Sequence, residues 1–154
     1  MRPGLKLALA LFLMTPFPGV AKPAPSPQFS ALTAQGEPLS SKSTRRKVVI
    51  LTWWAHWCAP CKEELQDFDR LHRAYRSRGV VVIALDADMR DPDYRFRSPD
   101  PSSSLLFADR FNGSAFPLQG VPTTYVIDRT GRIAGTFHGK MTLSEMETTI
   151  TPLL

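Results

Sequence analysis

Cysteine is almost missing from this 154-residue chain: Cys58 and Cys61 are the only two. A disulfide framework for a small secreted domain needs more bridges, and a structural zinc site normally takes four Cys or His ligands. With no second Cys pair, zinc would have to recruit His56, His72 and His138, the only histidines, by a coincidence of folding. Long hydrophobic runs are scarce too. The stretch Leu5 to Met14 is far shorter than the roughly 20 residues a membrane-spanning helix needs, and Pro16 and Pro18 follow it. No cysteine comes just after that stretch, so composition excludes a lipid-anchored form built on a mature N-terminal cysteine. The chain has one compact basic cluster, Arg45-Arg46-Lys47, with no recognisable nucleic-acid-binding motif around it, so nucleic acid is not an expected partner. No internal repeat is visible.

The N-terminus has the layout of an export signal. Arg2 and Lys6 supply positive charge, Leu5 to Met14 is apolar, and Gly19-Val20-Ala21 offers small residues for cleavage. We therefore expect a signal peptide over residues 1–21 and a periplasmic or otherwise exported protein, with an uncleaved membrane anchor as the alternative. Residues 22–28 are proline-rich and read as an extended linker. Residues 29–154 are enough for one domain and too few for two. The formal net charge of +5 is spread among acids along the chain, which predicts a mildly basic, solvated surface.

Cys58-Ala59-Pro60-Cys61 carries the chemistry. A loop with two intervening residues removes little entropy from the unfolded chain, so the pair is a poor structural staple. An apolar run, Val48 to Trp54, precedes it and an amphipathic stretch follows, which reads as strand, turn, helix. Cys58 then sits at the helix N-terminus, where unpaired N–H groups and the helix dipole favour a thiolate, the nucleophilic form. Cys61, one turn inside, is shielded and resolves the mixed disulfide. Together they complete an exchange cycle.

The remaining pattern predicts an open α/β sheet. Phe29, Leu32 and Leu39 around Gly36-Glu37-Pro38 suggest an N-terminal hairpin. Leu65, Phe68, Leu71 and Tyr75 share one helix face up to about Arg78, with Gly79 as the stop. Val80 to Leu85 is a second buried strand, parallel to the first by a right-handed crossover. Residues 89–104 carry three prolines and three consecutive serines and are expected to form an exposed, irregular insertion. Leu105-Leu106-Phe107 reads as a short strand, and Arg110-Phe111 with Ala115-Phe116 as a broken helix ending before Pro117. Thr123 to Ile127 and Arg132 to Phe137 flank a turn at Asp128 to Gly131 as an antiparallel hairpin. Thr142 and Glu145 have capping-box spacing, opening a terminal helix with Leu143, Met146, Ile150 and Leu153 on one side.

Trp57-Cys58-Ala59-Pro60-Cys61, Gly120-Val121-Pro122-Thr123-Thr124 and Asp128-Arg129-Thr130-Gly131-Arg132 together resemble the thioredoxin fold, and more narrowly the exported TlpA/ResA-like thiol–disulfide oxidoreductases, which include the thioredoxins of cytochrome c maturation. The resemblance runs from about Phe29 to the C-terminus. It implies a thioredoxin-like α/β fold: a central mixed sheet flanked by helices, with the N-terminal hairpin and the irregular insertion before a cis-proline at Pro122. It also implies that Trp57, Pro60, Val121 and Pro122 contact the client, with the Val121 backbone pairing to an extended strand. Glu64, three residues after Cys61 on the same helix face, is expected to take or relay the Cys61 proton. Thioredoxin keeps a buried aspartate six residues before the first cysteine, where this chain has Thr52. Trp53 is expected in the core, Trp54 either in the core or bordering the site, and His56 either beside the Cys58 thiolate or neutral and exposed.

No cofactor beyond the redox-active pair is implied. The expected partners are disulfide-bearing exported proteins and a membrane thiol donor that recharges a monomeric enzyme. Ala59-Pro60 brings no cation between the cysteines, which favours a reductant. A dithiol oxidant or isomerase is the alternative, as is a copper-binding assembly factor holding Cu(I) between Cys58, Cys61 and His138.

Overall fold

The computed structural model describes residues 27–88, 100 and 102–154. The expected signal peptide, most of the proline-rich linker and most of the insertion lie outside them. Seven strands form one mixed sheet: β1 (Ser30–Thr33), β2 (Pro38–Ser40), β3 (Val48–Trp54), β4 (Val80–Asp86), β5 (Leu106–Asn112), β6 (Thr123–Ile127) and β7 (Ile133–His138), in the order β2-β1-β5-β4-β3-β6-β7. Two helices complete it, α1 (Ala59–Tyr75) and α2 (Leu143–Ile150).

β3 and β4 pair in parallel, Val48 opposite Val80 through Trp54 opposite Asp86, and every residue of both is buried. Unbroken apolar sequence is what a strand covered on both faces requires. Even residues of β3 (Val48, Ile50, Trp54) share one core with Cys61, Leu65, Phe68 and Leu71 of α1 and Met146 and Ile150 of α2. Both helices therefore pack on this face. The odd residues Val49, Leu51 and Trp53 join Phe29, Phe116 and Tyr125 on the other face, which no helix covers among the described residues. Aromatic rings do the filling there: Trp53 meets Phe111 edge-on at 4.9 Å and Tyr125 at 5.6 Å, and Phe116 meets Tyr125 at 5.2 Å. Such edge-to-face pairs add roughly 0.5–1.5 kcal/mol each beyond burial.

The predicted hairpins and caps are present. β1 and β2 pair antiparallel, as do β6 and β7. α1 runs into a 3-10 turn, Arg76–Arg78, and Gly79 ends it at φ 85°, a backbone state that a Cβ penalises. Thr142 and Glu145 form a reciprocal capping box. Leu153 falls in a closing 3-10 turn rather than in α2 itself.

The broken-helix expectation fails. Arg110 and Phe111 belong to a strand, not to a broken helix: β5 extends from Leu106 to Asn112, pairing parallel with β4 and antiparallel with β1. Pairing along both sides outweighs a weak local pattern. Beside the left-handed backbone of Arg110 at φ 48°, Phe111 stacks on Phe29 at 5.9 Å, and Phe116 meets Phe29 edge-on at 6.1 Å. At the end of the insertion, Ser103 and Ser104 are not loosely exposed. Asp69 of α1 accepts from the Ser103 hydroxyl at 3.0 Å and the Ser104 N–H at 2.6 Å, and Arg73 donates to the Ser102 carbonyl at 2.7 Å.

Phe68 is buried at the centre of the helix-covered core. Phe68→Ala should cost about 3–5 kcal/mol in urea unfolding of the oxidised protein, with an unchanged dependence on urea concentration.

Candidate active site

β3 delivers the chain to the carboxyl end of the central parallel strands, and a short turn hands it to α1. The Cys58 N–H donates to the Ala55 carbonyl at 3.1 Å, which closes the turn. Cys58 is the N-cap of α1, with extended φ/ψ, and its Sγ accepts the Cys61 N–H at 3.2 Å. Sulfur thus occupies the place where a cap oxygen would satisfy an orphan helix donor. Pro60 stands in the first turn, where its missing N–H costs nothing. Cys58 and Cys61 are joined as a disulfide, their Cα atoms 5.3 Å apart. Cys58 is 5% exposed and Cys61 0%.

Trp57 projects outward, 73% exposed, so it flanks the disulfide as free surface rather than as packing. Its indole N–H donates to Asp88 Oδ1 at 3.0 Å, and Asp88 Oδ2 accepts the His56 N–H at 3.3 Å. Asp88 in turn donates its N–H to Asp86 Oδ1 at 2.8 Å. The His56 ring lies edge-on to Trp54 at 4.7 Å, with Nε2 3.5 Å from the fully buried Asp86 carboxylate. The His56 ring is therefore placed against Trp54 and Asp86. Trp54 is wholly buried in the core that contains both cysteines, and Trp53 is buried on the opposite face, as expected. Asp86 and Asp88 were not singled out in the sequence. The available signal was two acids at the carboxyl end of a central strand, where ligands and chemistry gather in open α/β sheets.

The Val121–Pro122 bond is cis. Pro122 is buried and its carbonyl accepts the Gly139 N–H at 2.9 Å, while the Thr123 hydroxyl donates to the Gly120 carbonyl at 2.7 Å. Val121 is half-buried and packs against the core that contains the cysteines. Among the described residues no hydrogen bond reaches its backbone N–H or C=O. A shallow hollow opens here, lined by Gly120, Val121, Pro122 and His138.

Glu64, about one turn beyond Cys61 on α1, is only 1% exposed. The Met141 N–H donates to its Oε1 at 2.8 Å, and the Thr52 hydroxyl of β3 is close enough to lower its pKa. Burial pushes its pKa up to about 7, against the pull of those two groups and of Lys140. Its neighbour Glu63 is the solvated one, paired with Lys140 at 2.6 Å. His138 stands beside Thr123, its Nδ1 3.4 Å from the hydroxyl. Among the described residues no three His, Cys, Asp or Glu side chains converge into a group that could hold a metal ion.

The sequence profile of the AhpC/TSA family matches residues 20–140. The chain is 29% identical over 133 residues to the thioredoxin-like protein YneN of Bacillus subtilis strain 168, spanning 84% of this chain and 78% of that one. It is 29% identical over 125 residues to the thiol-disulfide oxidoreductase ResA of Bacillus thuringiensis subsp. konkukian, spanning 79% and 72%. A thioredoxin-family thiol:disulfide interchange protein of Chlorobium tepidum superposes with a TM-score of 0.65 at 24% identity, over 88% of this chain and 99% of that one, so the fold is shared. Sheet order, cysteine pair and family agree: the chain belongs to the AhpC/TSA family, as a ResA-like thiol–disulfide oxidoreductase of thioredoxin fold.

Proposed function

We propose that the protein is an exported dithiol reductant. The observation that carries this reading is the asymmetry of the pair, with Cys58 capping α1 at the surface edge and Cys61 sealed beneath it over a buried Glu64. In the reduced protein, the Cys61 N–H and the positive end of α1 face the Cys58 sulfur, and both favour its thiolate. That thiolate attacks a client disulfide, forming a Cys58–client bond and releasing one client thiol. Cys61 then passes its proton to Glu64 and attacks Cys58. The Cys58–Cys61 bond forms, the second client sulfur leaves with its electron pair, and the client has gained two electrons. An external dithiol, a membrane thiol donor, must reduce the pair again.

Client binding uses the surface around the pair. Trp57 offers an exposed apolar face beside Pro60, and the backbone of Val121 is free to pair with an extended segment, with Pro122 fixing the edge. The layout of residues 1–21 supports export, and exported proteins with oxidised cysteine pairs, such as apocytochromes c awaiting haem, suit this chemistry. Ala59-Pro60 puts no charge between the sulfurs, which supports the reducing direction over the oxidising one.

Three measurements check the reading. The reduction potential of the pair in a dithiothreitol or glutathione buffer should fall near about −270 mV; a value near about −120 mV would make the protein a disulfide donor. Cys58→Ser should abolish client reduction, and Cys61→Ser should accumulate a Cys58–client mixed disulfide on non-reducing gels. Normal turnover by Cys61→Ser rules out the two-thiol cycle. Glu64→Gln should slow resolution by about 10²–10⁴-fold with the initial attack unchanged.

Glu64 also leaves a signature in stability. Its pKa is raised in the folded protein, to about 7 from 4.5, so below pH 4.5 both states are protonated and the fold carries no penalty. As pH rises toward 7 the unfolded chain releases this proton and the folded chain holds it. Stability is lost across that window, on the order of 3 kcal/mol in full. Urea midpoints from pH 4.5 to 8 should show this fall in the wild type and not in Glu64→Gln.

A further inference from the structure

The end of the sheet opposite the disulfide gathers cations. β3 and β4 run seven residues each from that end toward the redox turn, so the two ends lie roughly 20 Å apart. Three segments meet at the far end. Arg45, Arg46 and Lys47 lead into β3, and the Val48 N–H ties that segment to the Gly79 carbonyl at 3.0 Å. Arg129, in the turn between β6 and β7, donates to the Arg78 carbonyl at 2.8 Å, and Arg132 follows it. Arg76 and Arg78 close α1. All of these residues are exposed, and among the described residues none is in a salt bridge, whereas Arg70, Arg73 and Lys140 are each paired with an acid.

The acids at this end are few and engaged. Asp128 Oδ1 takes the Thr130 and Arg132 N–H groups at 2.8 and 3.0 Å and the Thr130 hydroxyl at 2.6 Å. Glu147 lies 3.4 Å from the Tyr75 hydroxyl, and Arg78 sits over that ring at 5.7 Å. Two carboxylates leave this end strongly positive, and like charges gathered there repel one another. Arg76 and Arg78 complement the C-terminal end of the α1 dipole, but Arg45, Arg46, Lys47, Arg129 and Arg132 serve no helix end. Arg46 also holds a left-handed backbone, φ 64°, that glycine or asparagine would adopt more easily. A hollow of about 240 Å³ opens between the segments, and the first described residues, Pro27 and Gln28, line it beside Arg45 and Arg129. The part of the chain that carries the apolar run Leu5 to Met14 thus enters the domain at its basic end.

We propose that this basic end is a docking face for an anionic lipid surface, which holds the domain with Cys58 and Cys61 turned away from the membrane. Unpaired cations on three converging segments match a plane of phosphate headgroups. A free phosphate has the same chemistry but meets one or two side chains, and only an extended surface meets all three segments. The entry of the chain at Pro27 puts the same end toward any membrane that residues 1–21 engage. Each cation close to an anionic surface adds about fivefold to partitioning, and salt screens the effect. The redox turn, at the other end of β3, stays open to clients on the solvent side. Docking of this kind is independent of the direction of thiol exchange.

The full-length oxidised protein is sedimented with vesicles of phosphatidylcholine alone and of phosphatidylcholine with phosphatidylglycerol. Binding should be stronger to the anionic vesicles and should fall as salt rises. Arg2 and Lys6 are present in every variant, so a difference between variants comes from the domain. Arg45→Gln/Lys47→Gln and, separately, Arg129→Gln/Arg132→Gln should each weaken anionic binding by about tenfold or more. Lys62→Gln/Arg70→Gln, an equal loss of charge on α1, should leave it within about twofold. Urea midpoints show which variants are folded, and either basic-end pair alone suffices. Equal binding to both kinds of vesicle, or equal losses in the α1 pair and the basic-end pairs, overturns the proposal. Release by inorganic phosphate far beyond that by chloride at matched ionic strength also overturns it, because that marks a discrete phosphate site. In the reduced protein, Cys58 should be alkylated at the same rate with and without anionic vesicles. A rate slowed by the vesicles puts the redox end on the lipid and overturns the orientation.

Discussion

The site depends on one constraint: a strand buried on both faces must end where a helix begins. β3 has no residue more than 3% exposed, so a slip of its register by one residue would exchange the side chains packed under the helices with those packed in the aromatic face and disrupt both cores. That fixes Trp54 at the sheet edge and Cys58 four residues later at the N-terminus of α1. The neighbouring strands inherit the same edge. β4 brings Asp86 level with Trp54, which puts Asp86 and Asp88 under the His56–Trp57 turn, and β6 starts at Thr123, which puts Val121 and Pro122 beside the same edge. Redox pair, acidic grip and cis-proline meet because three strand ends are tied to one register.

Within that frame the two sulfurs have different surroundings. Cys58 has a helix N-terminus and a donated N–H, and both lower the energy of negative charge there. Cys61 has core on all sides and a carboxyl group below it. Attack and resolution need these opposite properties: the first thiol must ionise readily, and the second must keep its proton until the mixed disulfide exists. The burial that raises the Glu64 pKa to about 7 suits the relay proposed for it, since an acceptor much more acidic would not hold the proton and one much more basic would already carry it.

Much of this was legible in the sequence because the strongest signals are local. The run Val48 to Trp54, the stop at Gly79 and the Thr142–Glu145 box each follow from neighbouring residues, and each appears in the structure. β5 was legible only at its start, Leu106 and Phe107, because its extension to Asn112 comes from pairing with β1, a partner far away in the chain. The same holds at the site. Cys58, Cys61 and Glu64 share a helix and could be related by spacing, whereas Thr124 meets Thr52 across 72 residues and Met141 meets Glu64 across 77. Asp88 fastens Trp57 from a strand end 31 residues away. Spacing on one element finds the reactive atoms, and only the assembled sheet shows what holds them.

Thr52 now has a physical reason. Thioredoxin places an aspartate at the corresponding point of its central strand, and in this chain a carboxylate reaches the same region from α1 instead. A site this dry cannot hold two ionised carboxylates at close range, because each would raise the other's pKa on top of the burial penalty. An aspartate at position 52 would therefore compete with Glu64 for the single negative charge that the region tolerates. A threonine there adds no second charge, and its hydroxyl lowers the Glu64 pKa where an aspartate would raise it. The strand position and the helix position act as one unit: once Glu64 supplies the acid, a second acid at position 52 is harmful.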